Sequence, residues 1–333
     1  MKLRIAAIAT GLVSAIGSVG AYAFSSLYVF GDSFSDGGNN AIVFKQLFSP
    51  DGVTTPVPIS DNKFVPTFPY QSAHYTNGDI WTQSFATALG LKANPSLGGG
   101  TNFAYGGART SGGTNPPAFL TVVQQKDALL SMHPHIASDA LYVVESGGNN
   151  ARDALEDIKA HPLDTLQIVQ ATAQGYASDV KGIVQDLENA GARDIVVWNV
   201  PDVGKAPALS DDPLAAAGAT SLAEVMNHAL NSAIRTDPHV KLFDFFGIVD
   251  TVVDHPGQFG LTNVTDACAR FTDCDPTKFL FWDGIHPTSA AHEILSDAML
   301  QLVPEPSTYA CVIAGLIACY MLTRRRMAQA VQL

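Results

Sequence analysis

The stretch "LQIVQATAQGYASDVKGIVQDLENAGARDIVVWNV", residues 166–200, decides the fold class. Its first part places apolar residues at three- and four-residue spacing and stops at Gly191, which predicts a long helix over Leu166–Ala190. Its second part, Asp194–Val200, is short and rich in Val, Ile and Trp, which predicts a strand. A helix that leads into an almost continuously apolar strand indicates a parallel sheet with helices on both faces.

The same alternation of short strands and helices continues from about Phe24 to Leu302. The sequence contains no internal repeat and no break that marks a second domain, so we expect one α/β domain over residues 24–302. Further strands are predicted at Leu27–Phe30, Ala140–Glu145 and Val240–Phe245, and further helices at Trp81–Leu89, Phe119–Met132, Ala215–Ile234 and Ser289–Leu302.

A single segment interrupts the alternation. Residues 49–70, "SPDGVTTPVPISDNKFVPTFPY", are rich in proline and show no period. A loop of this length inside a compact domain is usually functional or disordered. Its aromatic residues Phe64, Phe68 and Tyr70 suit one wall of a substrate cleft, and a plain surface excursion is the alternative.

The composition of the 333 residues excludes two broad classes of protein. Hydrophobic residues make up 47% of the chain and charged residues only 15%, which is ample for one large core and excludes a disordered chain. The formal net charge of −12 argues against a nucleic-acid partner, because an acidic surface repels phosphate backbones.

The N-terminal residues have the order of parts expected of a secretory signal peptide. Two basic residues precede an apolar stretch over residues 5–19, and Ala21-Tyr22-Ala23 follows. We expect cleavage after Ala23, so that the signal peptide, residues 1–23, is removed on export. A buried first helix is the alternative.

The C-terminal residues 303–333, "VPEPSTYACVIAGLIACYMLTRRRMAQAVQL", also look like a processing signal. The apolar stretch Tyr309–Leu322 is shorter than the roughly 20 residues of a comfortable membrane span, and an arginine cluster at residues 324–326 follows it. This order of parts resembles the PEP-CTERM sorting signal. The resemblance implies a Gram-negative bacterium, transient anchoring of the tail in the inner membrane as a transmembrane helix, cleavage by an exosortase, and release to the cell surface or extracellular matrix. A simple C-terminal anchor is the alternative.

Four cysteines remain to be placed. Cys268 and Cys274, in "CARFTDC", are close enough to bridge a small loop, and export would bring them into an oxidising compartment, so we predict a disulfide. Cys311 and Cys319 lie in the apolar tail. No cluster of histidine and carboxylate residues has zinc-like spacing, so we expect no metal site.

Polar residues follow the predicted strands, at the edge where an open parallel sheet binds its ligands. These residues are Ser33 after the first strand, Gly106 and Gly107 in "NFAYGGART", Asn149 on the loop after the second predicted strand, and Asp283 and His286 in "FWDGIHPTS" before the last helix. A serine hydroxyl needs a base to remove its proton, and His286 can serve if Asp283 holds the imidazole in the useful tautomer. The N–H groups of Ser33 and Gly106 and the amide of Asn149 can form an oxyanion hole.

Each of these motifs alone is more often structural, and their joint occurrence at strand ends favours a catalytic site. The motif G-x-S-x-G is absent from the sequence, which argues against an ordinary α/β-hydrolase. The blocks "VFGDSFSDGGNN", "NFAYGGA", "GGNN" and "DGIHPT" resemble those of the GDSL lipases and esterases, also called SGNH hydrolases. Residues 69–91 resemble the stretch that links the first two blocks, so the resemblance covers roughly residues 27–302.

This resemblance implies a flavodoxin-like three-layer α/β/α fold with a mainly parallel sheet. It implies hydrolysis of carboxylic esters without a cofactor or a metal. Its catalytic residues would be Ser33 as the nucleophile and Asp283 and His286 as the acid and base, and its oxyanion hole would be Ser33, Gly106 and Asn149.

Some details of the resemblance are specific to this chain. The family usually has aspartate where this chain has Asn150, so the support of the Asn149 loop differs here. Gly106 is chosen over Gly107 as the oxyanion donor by alignment with the family block. The two remaining acidic residues of the first block, Asp32 and Asp36, are assigned to shaping the turn.

We therefore expect an exported serine esterase or lipase that hydrolyses acyl or lipid esters through an acyl-enzyme. Deacetylation of a polysaccharide is an alternative activity that suits a matrix location. A non-catalytic surface or extracellular-matrix protein that keeps the fold for binding is an alternative of another class. The sorting tail fits both classes, but a binding protein needs no intact Ser33, Asp283 and His286.

Overall fold

The computed structural model describes residues 24–47, 72–112 and 119–303, together with residues 315, 317, 320 and 321. Residues 25–302 form one compact unit. In chain order, its strands and longer helices are β1 (Leu27–Phe30), α1 (Asn39–Leu47), α2 (Trp81–Ala88), α3 (Val122–Met132), β2 (Leu141–Val144), α4 (Gly148–Ala160), α5 (Thr165–Ala190), β3 (Asp194–Trp198), α6 (Pro213–Ile234), β4 (Val240–Phe243), α7 (Phe245–Asp254), β5 (Asn263–Ala267), β6 (Phe279–Phe281) and α8 (Ser289–Leu302).

Strands β1 to β4 form one parallel sheet in the order β1-β2-β3-β4, with Val29 of β1 beside Val143 of β2. Residues 101–105 run parallel to the other edge of β1. There Val29 donates its N–H to the Thr101 carbonyl at 3.1 Å, and Phe103 donates to the Val29 carbonyl at 2.7 Å. The spatial order of this segment and the four strands is therefore 2-1-3-4-5, which is the flavodoxin-like order.

Helices cover both faces of this sheet. Successive side chains of a strand point to opposite faces, and in β3 they divide accordingly. Ile195 and Val197 lie in the core formed with helices α3 to α6. Trp198 packs instead against Trp81 of α2, with ring centroids 4.6 Å apart, and α2 in turn contacts α8. The expected three-layer α/β/α fold with a parallel sheet is confirmed.

The predicted strands and helices end within three residues of the observed ones, and side-chain caps explain two of the differences. Helix α3 begins three residues later than predicted because Thr121 caps it, its hydroxyl accepting the N–H of Gln124. Strand β4 ends two residues earlier than predicted because Asp244 caps α7 by accepting the N–H of Gly247 at 3.0 Å.

Helices α1, α4 and α7 and the small parallel sheet of β5 and β6 are not among the predicted elements. The prediction that Asn149 lies on a loop is wrong, because α4 begins at Gly148 and contains Asn149. Gly and Asn residues favour turns by local propensity, but the burial of Ala151 and Ala154 in the core stabilises a helix here. Directly after β5, Cys268 is joined to Cys274 by a disulfide.

The predicted signal peptide and the proline-rich segment over residues 49–70 lie outside the described residues, as does most of the predicted sorting tail. Among the residues that the structure does describe, no helix is both long and apolar enough to span a membrane. The boundaries of the signal peptide, the hydrolase domain and the tail stay predictions.

Candidate active site

Ser33 lies just after the end of β1, at the carboxyl edge of the sheet. The backbone N–H and C=O of Gly31 both bond to the Gln125 side chain, each at 2.8 Å. A side chain would not fit at Gly31, since a Cβ there would lie 2.6 Å from Oε2 of Glu145. The Asp32 N–H donates to the same oxygen of Glu145 at 3.0 Å. These buried contacts hold the turn that presents Ser33.

Ser33, His286 and Asp283 form one continuous chain of hydrogen bonds. Ser33 Oγ lies 2.8 Å from His286 Nε2, and His286 Nδ1 lies 2.7 Å from Asp283 Oδ2. All three side chains are buried. The structure thus brings together the residues that the sequence predicts as nucleophile, base and acid, although Ser33 and His286 are 253 residues apart in the chain.

The surroundings of Asp283 keep its carboxyl group ionised. Its Oδ1 accepts the backbone N–H groups of Ile285 and His286 at 2.8 and 2.7 Å. Burial raises the pKa of Asp283, but the neighbouring His286 and these hydrogen bonds outweigh burial and hold the pKa below its ordinary value. Because an ionised carboxylate only accepts, Nδ1 of His286 carries a proton and Nε2 is left to accept the proton of Ser33.

Two aromatic rings flank the imidazole of His286. The Tyr75 and Phe34 ring centroids lie 5.1 and 5.8 Å from that of the imidazole. The hydroxyl of Tyr75 accepts a hydrogen bond from Asn40 at 2.7 Å, and its ring lies where a Cβ on Gly106 would come within 2.1 Å. Tyr75 is not among the predicted site residues, and its one sequence signal is its place in the linking stretch.

Gly106, one of the predicted oxyanion donors, bonds elsewhere. Its N–H donates to Oδ2 of Asp36 at 2.9 Å, and its C=O accepts from the Asn40 side chain at 3.0 Å. The predicted role of Gly106 conflicts with this arrangement, because its N–H is committed to a buried carboxyl group. The N–H of Gly107 meets no acceptor within the described parts of the chain. The Gly106 C=O and the Gly107 N–H belong to one trans peptide and point in opposite directions. Because the Gly106 C=O points towards Asn40, the Gly107 N–H points away from it.

Asn149, whose side-chain amide is predicted to contribute to the oxyanion hole, lies in the first turn of α4. Asn149 and Ser33 line one cavity. The amide of Asn149 donates to Oδ2 of Asp32 at 3.0 Å and to the Ala108 carbonyl at 3.1 Å. Asp32 therefore does more than shape the turn, because it also orients the amide of Asn149.

Asn150 stands where the family usually has aspartate, and its contacts explain why an amide suits this position. Its Oδ1 accepts the Thr110 N–H at 3.1 Å, and its Nδ2 donates to the Thr110 hydroxyl at 3.1 Å. That hydroxyl donates its own proton to Asp179 at 2.7 Å, so it can only accept from residue 150. An amide can donate to it and a carboxylate cannot.

Two buried carboxyl groups, those of Asp32 and Glu145, lie at the turn after β1 that presents Ser33. Oε2 of Glu145 accepts the Asp32 N–H and the Ser35 hydroxyl, each at 3.0 Å. Burial and the neighbouring Asp32 hold the pKa of Glu145 well above its ordinary value, which favours the protonated form of this residue. Burial likewise raises the pKa of Asp32, although hydrogen bonds and His286 oppose the rise. Glu145 is not among the predicted site residues, and an acid at the end of an otherwise apolar strand is its sequence signal.

Asp36 holds the start of α1. Burial raises the pKa of Asp36 to about 6, and hydrogen bonds from backbone N–H groups keep it from rising further. These contacts agree with the prediction that Asp36 shapes the turn. The donors are the N–H groups of Gly38, Asn39, Asn40 and Gly106, at distances between 2.7 and 3.2 Å.

A cavity of about 940 Å³ opens beside Ser33 and Asn149. Its other walls come from helices α4, α6, α7 and α8, largely through aliphatic side chains. A concave and mostly apolar site with a few convergent polar groups is typical of small-molecule binding. The arrangement therefore gives a ligand with a sizeable apolar part access to the nucleophile.

Within the described residues, Glu188, Asp237 and His239 have the spacing of metal ligands. They are hydrogen-bonded to one another, since His239 Nδ1 lies 2.7 Å from Glu188 and the His239 N–H donates to Asp237 at 3.0 Å. None of the three lines the cavity beside Ser33.

Comparison with known proteins relates this arrangement to a family. The family model of the GDSL-like lipases and acylhydrolases matches residues 27–299. Lipase 1 of Photorhabdus luminescens is 32% identical over 238 residues, which are 71% of this chain and 31% of that protein. Esterase EstA of Pseudomonas aeruginosa is 26% identical over 329 residues, which are 85% of this chain and 47% of that protein. The chain thus spans less than half of the length of either relative.

Similarity to solved structures is found at low sequence identity. LAE5, an α/β hydrolase from the metagenome of Lake Arreo in Spain, is 14% identical, with a TM-score of 0.43 over 85% of this chain and 97% of that chain. The family model, by contrast, matches the sequence from β1 into α8. The chain therefore belongs to the GDSL-like lipase/acylhydrolase family of ester-hydrolysing serine hydrolases.

Proposed function

We propose that the protein hydrolyses carboxylic esters through an acyl-enzyme on Ser33, with His286 as general base and acid and Asp283 as its orienting carboxylate. The observation that carries this proposal is the hydrogen-bonded chain from Ser33 through His286 to Asp283, with contacts of 2.8 and 2.7 Å. Membership of the family supports ester hydrolysis, and the contacts support the individual roles.

The reaction has two halves. Ser33 Oγ attacks the ester carbonyl carbon while His286 Nε2 takes the hydroxyl proton. The tetrahedral intermediate collapses, the bond to the alcohol oxygen breaks, and His286 returns the proton to that oxygen. Water then attacks the acyl-enzyme, with His286 again as the base, and the carboxylic acid leaves Ser33 free. In both halves, the negative charge of Asp283 stabilises the imidazolium that forms.

The proposed oxyanion hole consists of the Ser33 N–H, the Gly107 N–H and the Asn149 amide. Gly107 takes the place of Gly106 because the Gly106 N–H donates to a buried carboxyl group. The amide of Asn149 binds the oxyanion by turning one N–H from Asp32 towards the substrate. Oxyanion donors are typically worth about 100- to 1000-fold in rate each.

The direct test is the hydrolysis of p-nitrophenyl butyrate by the wild type and by Ser33→Ala. We expect the variant to lose at least about 1000-fold in kcat, because it lacks the nucleophile. A fluorophosphonate probe should label the wild type and not the variant. Equal rates above background, or no labelling of a folded wild type, would favour a protein that keeps the fold for binding.

We also propose that the protein is exported, with the secretion machinery and an exosortase as its partners and the cell surface or extracellular matrix as its destination. The support is the order of basic, apolar and Ala-x-Ala residues at the N-terminus and the PEP-CTERM-like order at the C-terminus. Mass spectrometry of the protein from the cell surface and the medium tests this. We expect a chain that begins at Phe24 and lacks the arginine cluster. An intact tail would indicate a permanent anchor.

A further inference from the structure

The cavity beside Ser33 extends as a groove along helix α6. Apolar residues of this helix line the cavity at helical spacing, on one face of the helix: Leu214, Ala215, Gly218, Leu222 and Val225. At a rise of 1.5 Å per residue, the first and last of them lie about 17 Å apart along the helix axis. The groove is therefore much longer than the space that an acetyl group on Ser33 would fill.

The walls that α7 and α8 contribute are apolar as well. The cavity is also lined by Ile248, Val249 and Val252 of α7 and by Ala291, Ile294 and Leu295 of α8. The groups proposed to act on the ester, Ser33 and Asn149, line the same cavity. An apolar groove thus leads away from the point where the ester bond would lie.

Part of this apolar surface is open to solvent. Leu214 is 84% exposed and Val225 is 42% exposed. Exposed apolar side chains at the two ends of a groove are surface that an apolar ligand can cover. An apolar ligand in the groove would cover both side chains, which links this exposed surface to the catalytic residues.

We infer that the groove along α6 binds the acyl chain of a medium- to long-chain ester, and that Gly218 sets the chain length that is accepted. This inference rests on the proposed function. Gly218 lines the groove, and a Cβ built on it meets no atom within 4 Å, so a side chain here would fit beside the groove without a clash with the protein. The acetyl ester of a polysaccharide would make no use of the groove.

The test is a chain-length series on the full chain with p-nitrophenyl acetate, butyrate, octanoate and palmitate. The variants are Gly218→Phe and the matched control Ala217→Phe, since Ala217 is the preceding residue, is exposed and does not line the cavity. Each buried methylene is worth about fourfold in binding, so a phenyl ring that displaces two methylenes lowers the palmitate-to-butyrate ratio of kcat/KM about 15-fold. We expect the wild type to prefer octanoate or palmitate to acetate, and Ala217→Phe to keep the wild-type ratio.

Three outcomes would overturn the inference: a wild-type preference for acetate, an unchanged ratio in Gly218→Phe, or an equal fall on all four esters in a folded Gly218→Phe. Gly218→Leu gives the same comparison if the phenylalanine variant does not fold. Failure of the proposed function looks different, because the wild type would then hydrolyse none of the esters or Ser33→Ala would remain active. In that case, calorimetric binding of palmitate to the wild type and to Gly218→Phe still tests the groove, and equal binding would overturn the inference.

Discussion

The two loops that meet at the site are held in place in different ways. The turn after β1 is held by Gln125 and Glu145, which come from far along the chain and bond its backbone. In the loop before α8, Asp283 bonds both the imidazole and the backbone N–H of His286, so the orientation of His286 is set within the loop. The loop backbone is also bonded from outside, by the N–H of Ala208 to the Gly284 carbonyl and by the Thr76 hydroxyl to the Pro287 carbonyl. The turn of the proposed nucleophile is thus bonded by side chains from distant parts of the chain, whereas the proposed acid orients the proposed base within one short loop.

The buried carboxyl groups around these two loops also differ. Asp32 and Glu145 have raised pKa values because burial outweighs their hydrogen bonds. Asp283 is buried too, yet its pKa is lowered because His286 and backbone N–H groups outweigh burial. Burial alone therefore does not decide which carboxyl group can serve as the triad acid. The pKa of Asp283 is low because His286 can become a cation beside it and because N–H groups donate to its carboxylate.

The largest expected effect concerns the loop before α8. Asp283→Asn removes the charge that holds the tautomer of His286, so we expect kcat for p-nitrophenyl butyrate to fall about 10⁴-fold. The control is Asp273→Asn, which changes an exposed aspartate nearby in the sequence and should leave kcat unchanged. A fall of less than about tenfold in Asp283→Asn would show that the loop orients His286 without the carboxylate.

The next largest effect on kcat concerns Asn149, whose amide donates to Asp32. Asn149→Ala removes a proposed oxyanion donor, so we expect kcat to fall about 100- to 1000-fold with KM nearly unchanged. Asn150→Ala is the matched control, because Asn150 bonds to Thr110 and does not line the cavity. It should lower the free energy of unfolding by about 1 kcal/mol and leave kcat nearly intact. Equal losses of kcat in the two variants would remove Asn149 from the proposed oxyanion hole.

A smaller effect tests how the turn after β1 is held. Glu145→Ala leaves the Asp32 N–H and the Ser35 hydroxyl without their acceptor and opens a cavity, so we expect it to lower the free energy of unfolding by about 2–4 kcal/mol. Glu145→Gln resembles the protonated acid and should stay within about 1 kcal/mol of the wild type at neutral pH. Urea unfolding measures both. A Glu145→Gln variant as unstable as Glu145→Ala would indicate that Glu145 is ionised in the folded protein.

The smallest effect concerns His292 of α8, close to the His286 loop. Burial and the neighbouring His286 and His74 lower the pKa of His292 to about 3. Neither of its ring nitrogens has a hydrogen-bond partner in the part of the chain that the structure describes. Histidine in the unfolded chain titrates near a pKa of about 6.5. Below that pH the unfolded state binds the extra proton, so stability is lost as the pH falls from about 6.5 towards 3.

We therefore expect the wild type to lose about 2 kcal/mol of unfolding free energy relative to His292→Leu between about pH 7 and pH 5. The measurement is urea unfolding of both proteins across this pH range. Parallel curves for the two proteins would show that His292 does not take up the proton on unfolding.

The sequence by itself determined the features that depend on neighbours along the chain. The period of apolar residues placed β1, β3 and α5 to within a few residues, and their alternation indicated the layered fold. The position of Ser33 followed from the abrupt end of an apolar run. The pairing of Asp283 with His286 followed from their spacing, because residues three apart on one short loop can bond without help from the rest of the chain.

Only the tertiary structure decided the contacts between residues that are far apart in sequence. It showed Glu145 bonding the nucleophile turn and Tyr75 packing on the imidazole. It also showed that the Gly106 N–H bonds to Asp36, which is why we propose Gly107 in its place as an oxyanion donor. The groove along α6 exists only because α4, α7 and α8 pack around the same space. Hydrogen bonding and burial depend on distances in space, whereas propensity and periodicity are properties of neighbouring residues in the chain.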